Sequence, residues 1–323
     1  MEYGQIEGVN KPISRLVQGT LMTSSERLEE GFALLDAVFA EGCTTFDTAH
    51  VYGSGDNERT VGRWIRERGI REKVVLLGKG AHHNADRQRV THYDIEADLH
   101  DSFARFGFDY IDIYILHRDD PSQPVGPIVE VLNQYQASGN IGIFGGSNWS
   151  HKRIEEANEY AYAHNLKPFT ASSPNFSLAA QHEPPWPNCI SIAAEQGKDA
   201  REWYKTQHMA LFTWSSLAGG FFSGRFRRDN LKGFDAYFDK LAVTSYCYED
   251  NFQKLDRAEQ LAKQYKMTLP QIALAYVMSQ PLNIFALVGC ANVGEFRDNA
   301  AALALKLTPD QLAWLESGTP VPA

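Results

Sequence analysis

The sequence predicts an α/β fold, a single (β/α)8 TIM barrel with long loops at the C-terminal face of its strands. Apolar runs of strand length alternate with amphipathic segments of helix length, which is typical of a parallel sheet covered by helices. The run at 111–117 is apolar almost throughout, as expected of a strand buried on both faces. The chain has 323 residues, and a barrel takes roughly 250, so one domain over 1–323 is expected.

The first half of the chain predicts four strand–helix units. The first strand is expected at 16–20, and the helix after it, 27–41, carries an apolar stripe at helical spacing formed by Leu28, Phe32, Leu35 and Phe39. Ser138 and Gly139 end the fourth helix. The remaining strands of this half are expected at 44–48, 74–79 and 111–117, and the remaining helices at 58–68, 94–106 and 127–137.

The second half continues the alternation with longer connections. Its strands are expected at 141–147, 169–173, 210–215 and 284–289, and its helices at 153–164, 251–265 and 270–279. The connection 174–208 is rich in proline, and the connection 217–250 carries glycines followed by aromatic residues. Long loops on a barrel usually act as lids or binding walls, so both are expected beside the functional site.

Composition narrows the class of protein. The chain is 43% hydrophobic and 22% charged, as in ordinary globular proteins. A formal net charge of −9 argues against binding to nucleic acid or to an anionic membrane surface. The 4 cysteines show no paired spacing, which argues against a zinc site and a disulfide framework. Without a signal-peptide pattern or a long apolar stretch, we expect a cytoplasmic protein.

Four ionisable side chains stand at or just beyond the ends of consecutive predicted strands: Asp47, Tyr52, Lys79 and His117. In a parallel barrel these ends converge on the face that carries catalysis. A phenol has an ordinary pKa near 10, and a neighbouring ammonium lowers that pKa. We therefore expect Lys79 to lower the pKa of Tyr52 and Asp47 to hold Lys79, which makes the group a proton-transfer site.

The motif F-D-T-A-x-x-Y-G at 46–53, the two strand-end residues Lys79 and His117, and G-G-S-N-W at 145–149 together resemble the aldo-keto reductase superfamily. The resemblance covers nearly the whole chain. It implies reduction of an aldehyde or ketone to an alcohol, reversibly, with hydride from a nicotinamide cofactor. In that reaction Tyr52 is the expected proton donor, and His117 is expected to orient the carbonyl group.

The same resemblance implies a set of cofactor-binding residues: Gly19, Thr20, Ser147, Asn148, Trp214, Leu217, Gly219, Arg225, Gly289, Glu295 and Asn299. Ser173 stands where the family has a glutamine that contacts the nicotinamide. Gly289 and Glu295 stand where it has the lysine and arginine that bind the 2′-phosphate of NADPH, although Arg297 could compensate. The resemblance to the family implies NADPH as the cofactor, and these residues are also compatible with NADH.

The predicted substrate is a sugar-like or other small polar carbonyl compound, with His50, Trp149 and Trp186 as candidate pocket walls. His82 and His83 are adjacent loop histidines that we expect to be solvated, and no metal is expected. Two other functions stay open. One is a cofactor-binding sensor subunit with slow turnover, since some proteins resembling this barrel are potassium-channel accessory subunits, and the other is Schiff-base chemistry at Lys79. No partner beyond the substrate is expected, and the oligomeric state is open.

Overall fold

Eight parallel strands close into a barrel in the computed structural model, which describes residues 1–318. Residues 1–318 contain these eight strands and a separate antiparallel pair, in chain order β1 (Tyr3–Ile6), β2 (Val9–Ser14), β3 (Leu16–Gly19), β4 (Thr45–Asp47), β5 (Val75–Gly80), β6 (Ile111–Leu116), β7 (Ile141–Ser147), β8 (Ala171–Ser173), β9 (Ala210–Thr213) and β10 (Asn283–Val288). The barrel order is β3 to β10, with β10 pairing β3. The predicted TIM-barrel class is confirmed, and residues 319–323 of the predicted domain lie outside the described residues.

Helices alternate with the strands and cover the barrel. They are α1 (Leu28–Ala40), α2 (Asp56–Arg68), α3 (His92–Phe106), α4 (Val125–Ala137), α5 (His151–Ala163), α6 (Lys198–Gln207), α7 (Tyr237–Tyr246), α8 (Glu249–Tyr265), α9 (Leu269–Met278), α10 (Val293–Ala301) and α11 (Pro309–Ser317). Each predicted strand and helix is present, with ends within two residues of those expected. The hairpin β1–β2 and the helices α6, α7, α10 and α11 were not predicted.

The hairpin β1–β2 lies at the N-terminal end of the barrel and closes it. Val9 and Ile13 of β2 pack into the same apolar cluster as the inward-facing side chains of the barrel strands. Lys11 of β2 forms an ion pair of 2.8 Å with Asp112 of β6, a carboxylate that is only 1% exposed. This end is thereby filled, and the opposite end is left for a site.

Parallel register brings the C-terminal strand ends to one level. Gly19 pairs with Asp47 across β3 and β4, and Ser147 pairs with Ser173 across β7 and β8. Side chains at these positions, and those in the loops that follow, therefore meet on one face. Within residues 1–318, no helix combines the length and the apolar character that a membrane span needs.

Candidate functional site

The centre of the site is a buried ion pair between Lys79 on β5 and Asp47 at the end of β4. The Lys79 ammonium donates to the Asp47 carboxylate, and to the carbonyl oxygen of Thr48 at 2.9 Å. The two side chains are 3% and 4% exposed. Burial alone would lower the pKa of Lys79, but Asp47 and Tyr52 together hold that pKa above its ordinary value, so the amine is charged.

Tyr52 lies beside this pair, in the short helical turn that follows β4. The Lys79 Nζ atom is 5.2 Å from the centroid of the Tyr52 ring. Burial raises the pKa of Tyr52 above its ordinary value, and the Lys79 charge pulls that pKa down. The effect of Lys79 therefore has the predicted sign, while the net shift is upward because desolvation outweighs the cation.

His117 follows β6 and faces Tyr52. The two ring centroids are 5.8 Å apart and the rings are nearly perpendicular. Burial, with the charges of Lys79 and Arg118, holds the pKa of His117 well below its ordinary value. Its Nδ1 atom is buried without a hydrogen-bond partner. The imidazole is therefore neutral at physiological pH, and it can donate a single hydrogen bond.

The loop after β5 brings a second histidine to this centre, which the sequence did not predict. The ring of His82 is 4.8 Å from that of His117 and stacks on His83 at 4.3 Å. Both loop histidines are partly buried, so the expectation of a solvated pair is wrong. Burial lowers the pKa of His82 to about 4, so this side chain is also neutral. The sequence offered one signal for this placement, because His82 comes two residues after the end of β5, on the face where the site is built.

Ser147 ends β7 and Asn148 follows it, next to the tetrad formed by Asp47, Tyr52, Lys79 and His117. Ser147 Oγ donates to the Ser173 carbonyl oxygen at 2.8 Å. Asn148 has a left-handed φ of 58°; its Nδ2 donates to Ser147 Oγ at 3.1 Å, and its Oδ1 accepts from the amide of Ile190 at 3.0 Å. These bonds fix the two polar side chains on the strand end and attach the connection 174–208 to it.

Trp214 follows β9 on the same face and is half-buried. Its Nε1 atom is buried without a partner. Its ring lies 6.3 Å from that of Trp186 in the proline-rich connection. Gly19 ends β3 beside Asp47, while Thr20 is only 1% exposed and donates to the Asp47 carbonyl oxygen at 3.0 Å. Thr20 therefore positions the strand end and has little surface to offer a ligand.

The remaining predicted cofactor residues form two groups. In the glycine-bearing loop, Leu217 is partly exposed and Gly219 has a φ of 60°. Arg225, expected to add a positive charge there, forms an ion pair of 2.6 Å with Asp239 of α7. Its charge is therefore already matched within the chain.

The second group lies between β10 and α10. Gly289 is exposed, and a Cβ atom placed on it would meet nothing within 4 Å. The Glu295 carboxylate accepts from the amide of Ala291 at 2.8 Å and from Asn292 Nδ2 at 3.0 Å, so it is already bonded within the chain. Asn299 donates to Cys290 Sγ at 3.2 Å. Arg297, the expected compensating cation, pairs with Glu41 at 2.7 Å.

Two of the residues predicted to line the pocket, His50 and Trp149, differ in how far they are buried. His50 is partly exposed after β4, and its Nε2 atom lies 3.0 Å from Asp101 of α3. Trp149 is 1% exposed, packs on Phe169, and donates from Nε1 to the Arg118 carbonyl oxygen at 3.0 Å. The ring belongs to the hydrophobic core together with Phe169, so Trp149 does not fit the predicted wall role. Residues 1–318 contain no group of three or more side chains arranged to hold a metal ion.

Known proteins resemble this chain in sequence and in fold. The sequence model of the Aldo/keto reductase family matches residues 15–318. A probable aryl-alcohol dehydrogenase, AAD4, from Saccharomyces cerevisiae is 25% identical over 90% of this chain and 88% of its own length. A probable voltage-gated potassium channel subunit beta from rice, Oryza sativa, is 26% identical over 98% of this chain and 96% of its own.

A solved aldo-keto reductase from Klebsiella pneumoniae, in complex with NADPH, superimposes with a TM-score of 0.72 at 22% identity, covering 100% of this chain and 97% of that one. At this identity the match shows the fold. The family match spans all eight barrel strands and the strand-end tetrad. The chain belongs to the aldo/keto reductase family and is an NAD(P)H-dependent oxidoreductase of that type.

Proposed function

We propose that this protein reduces an aldehyde or ketone to an alcohol with NADPH as the hydride source, and that Tyr52 supplies the proton. One observation carries the proposal: a charged, buried Lys79 and a neutral His117 flank the Tyr52 ring on the C-terminal face of the barrel. A phenol between a cation and a neutral hydrogen-bond donor suits transfer of one proton to a carbonyl oxygen.

The proton path follows from the charges. The raised pKa of Tyr52 keeps the phenol protonated at neutral pH, ready to donate. When the carbonyl carbon accepts hydride, its oxygen takes the Tyr52 proton and leaves a phenolate, which the Lys79 ammonium stabilises. Asp47 keeps that ammonium in place. His117, being neutral, donates a hydrogen bond to the carbonyl oxygen and fixes its direction.

The residues present fit a nicotinamide cofactor. Ser147 and Asn148 offer a hydroxyl and an amide on the strand end, where they can bind the carboxamide. The half-buried ring of Trp214 offers a stacking face, and its Nε1 atom is unpartnered. The open space at Gly289 leaves room for the adenosine end. The cofactor supplies hydride when bound, and the NADPH named for the Klebsiella structure supports NADPH here.

The substrate pocket is proposed between the tetrad and the two long connections. Trp186 donates from Nε1 to the Tyr237 hydroxyl at 3.0 Å, so the connections meet above the strand ends. Tyr237 and Phe238 are 63% and 54% exposed. Exposed aromatic rings suit the C–H face of a sugar-like carbonyl compound or an apolar ketone. His50 would contact the substrate at the rim of this pocket.

The test is a screen of NADPH and NADH oxidation against aldoses, keto-sugars, aromatic aldehydes and small ketones. The proposal expects turnover with at least one class and faster turnover with NADPH. Tight NADPH binding without steady-state oxidation by any class would refute it and favour the sensor-subunit alternative, which the name of the rice relative keeps open. The Schiff-base alternative is disfavoured because Lys79 is held charged, and borohydride trapping would reveal a covalent adduct.

A further inference from the structure

Arg118 is a buried cation whose charge no carboxylate of the described chain balances. It directly follows His117 and is 5% exposed. Its Nη1 donates to the His117 carbonyl oxygen at 2.9 Å, and its Nε is buried without a partner. Within residues 1–318 no Asp or Glu oxygen lies within 4 Å of its guanidinium, since no ion pair involves it. Buried charges in proteins are normally paired, so a missing partner needs an explanation.

The carboxylates nearest in sequence are committed elsewhere. Asp119 follows Arg118 but pairs with Arg153 of α5 at 3.4 Å. Asp120 accepts from the amide and hydroxyl of Ser122 at the surface. The other buried cation of the centre, Lys79, is matched by Asp47. The centre therefore carries one uncompensated positive charge, and it belongs to Arg118.

That charge acts on the side chains around the reacting carbonyl. The Arg118 cation pulls down the pKa values of Tyr52, His117, His82 and His83. Burial is the larger effect in each case: it raises the pKa of Tyr52 and lowers those of the three histidines. The three histidines lie on the loop after β5 and at the end of β6, and His82 and His117 are neutral at physiological pH. None of them can supply the missing negative charge.

We propose that Arg118 binds a carboxylate of the substrate, so that the protein prefers oxo acids whose carboxylate lies close to the reducible carbonyl group. The proposal rests on the proposed function and specifies its substrate class. A guanidinium presents parallel N–H donors that match the two oxygens of a carboxylate, and most of those donors are free here. The substrate would bring the counter-charge that the chain lacks.

The first experiment compares each acid with its own methyl ester: phenylglyoxylate with methyl phenylglyoxylate, and succinic semialdehyde with methyl 4-oxobutanoate, using the full chain with NADPH. We expect kcat/KM to be about 10- to 100-fold higher for the acid of at least one pair, as charge-assisted hydrogen bonds allow. Arg118→Gln should bring that ratio to about one, and Arg118→Lys should keep part of it, because lysine retains the charge without the fork.

The ratio of kcat/KM for the acid to that for its ester distinguishes recognition of the carboxylate from damage to the fold, since a merely structural role for Arg118 would slow acid and ester alike. Arg153→Gln is the matched control: this arginine is also buried, but Asp119 and Glu156 already pair with it, and its loss should leave the ratio unchanged. Reduction of both esters and acids at equal kcat/KM, or a ratio that survives Arg118→Gln, would overturn the inference and leave the proposed reductase intact.

A second experiment does not depend on turnover, so it also decides the matter if no compound is reduced. Benzoate is titrated by calorimetry into the protein saturated with NADP⁺, with benzamide and inorganic phosphate as comparison ligands. We expect benzoate to bind at least about 10-fold more tightly than benzamide, and to lose that advantage in Arg118→Gln. Absence of benzoate binding, or tighter Arg118-dependent binding of phosphate, would reject a carboxylate site.

Discussion

At the scale of single residues, the proposed roles of Tyr52 and Lys79 bear on opposite directions of the reaction. A phenol that stays protonated at neutral pH is ready to donate, which suits carbonyl reduction. In the proposed mechanism alcohol oxidation needs the phenolate, and the Lys79 cation lowers the pKa at which the phenolate forms. The two side chains therefore predict different phenotypes when each is removed.

Tyr52→Phe should lower kcat for carbonyl reduction by about 10²- to 10⁴-fold, because the variant keeps the ring but loses the proton that the carbonyl oxygen must receive. NADPH affinity should change little, and fluorescence titration measures it. Tyr93→Phe, on the exposed face of α3, is the matched control. Equal kcat in Tyr52→Phe and the parent would remove Tyr52 from the reaction.

Lys79→Met should move the onset of alcohol oxidation to higher pH. Removing the cation takes away an effect that lowers the pKa of Tyr52, so that pKa rises further and the phenolate forms later on the pH scale. The measurement is kcat/KM for alcohol oxidation as a function of pH.

The variant also leaves Asp47 buried without its partner, which costs about 3–5 kcal/mol of stability. The double variant Asp47→Asn with Lys79→Met removes that orphan charge and should show the same shift in the pH profile. An unchanged profile in both would argue that Lys79 does not act on Tyr52.

At the scale of secondary-structure elements, the elements with a clear hydrophobic pattern are the ones that the sequence predicted. Buried parallel strands read as apolar runs, so all eight barrel strands were found and the tetrad was placed on one face. The helix α7 was missed because its first residues, Tyr237 and Phe238, expose their rings and blur the apolar stripe. The hairpin β1–β2 was missed because its two strands are short and largely polar, and Pro12 interrupts the second.

Side-chain direction beyond a strand end was the part that the sequence could not provide. Asn148 turns the chain with a left-handed φ of 58°, and Trp149 then packs on Phe169 instead of facing a pocket. For the same reason the sequence did not predict that Arg118 and His82 belong to the site, because their positions depend on how two loops fold over the barrel. Strand ends identify the face of the site, and only the folded loops show which neighbours join it.

Gly145→Ala should destabilise the fold by about 1–3 kcal/mol, because a Cβ atom on this residue of β7 would overlap the carbonyl oxygen of Ala171 in β8. Since the two residues pair directly, the strands would have to separate near Ser147 and Ser173. Urea denaturation gives the free energy of unfolding, and NADPH affinity should weaken as well.

Gly233→Ala provides the control, since a Cβ atom there meets nothing within 4 Å. It should leave both quantities within about 0.5 kcal/mol of the parent. Equal stability of Gly145→Ala and Gly233→Ala would mean that the approach of β7 to β8 is not as close as described.

At the scale of the whole molecule, the neutral histidines beside the tetrad link the stability of the fold to pH. Burial lowers the pKa of His82 to about 4 and that of His117 well below its ordinary value. In the unfolded chain a histidine titrates near 6.5. Between these two pH values the unfolded chain binds protons that the folded chain does not, so stability falls as the pH is lowered through this window.

The free energy of unfolding should therefore decrease steadily as the pH falls from about 6.5 to about 4, and the contribution of His82 is fully present only above that window. His82→Gln removes one of the responsible groups, so the slope of this decrease should be shallower in the variant, as measured by urea denaturation at a series of pH values. His164→Gln, at the exposed end of α5, is the matched control and should keep the parent slope. A slope in His82→Gln as steep as that of the parent would show that His82 takes up its proton in the folded chain, and would place it in water instead of against His117.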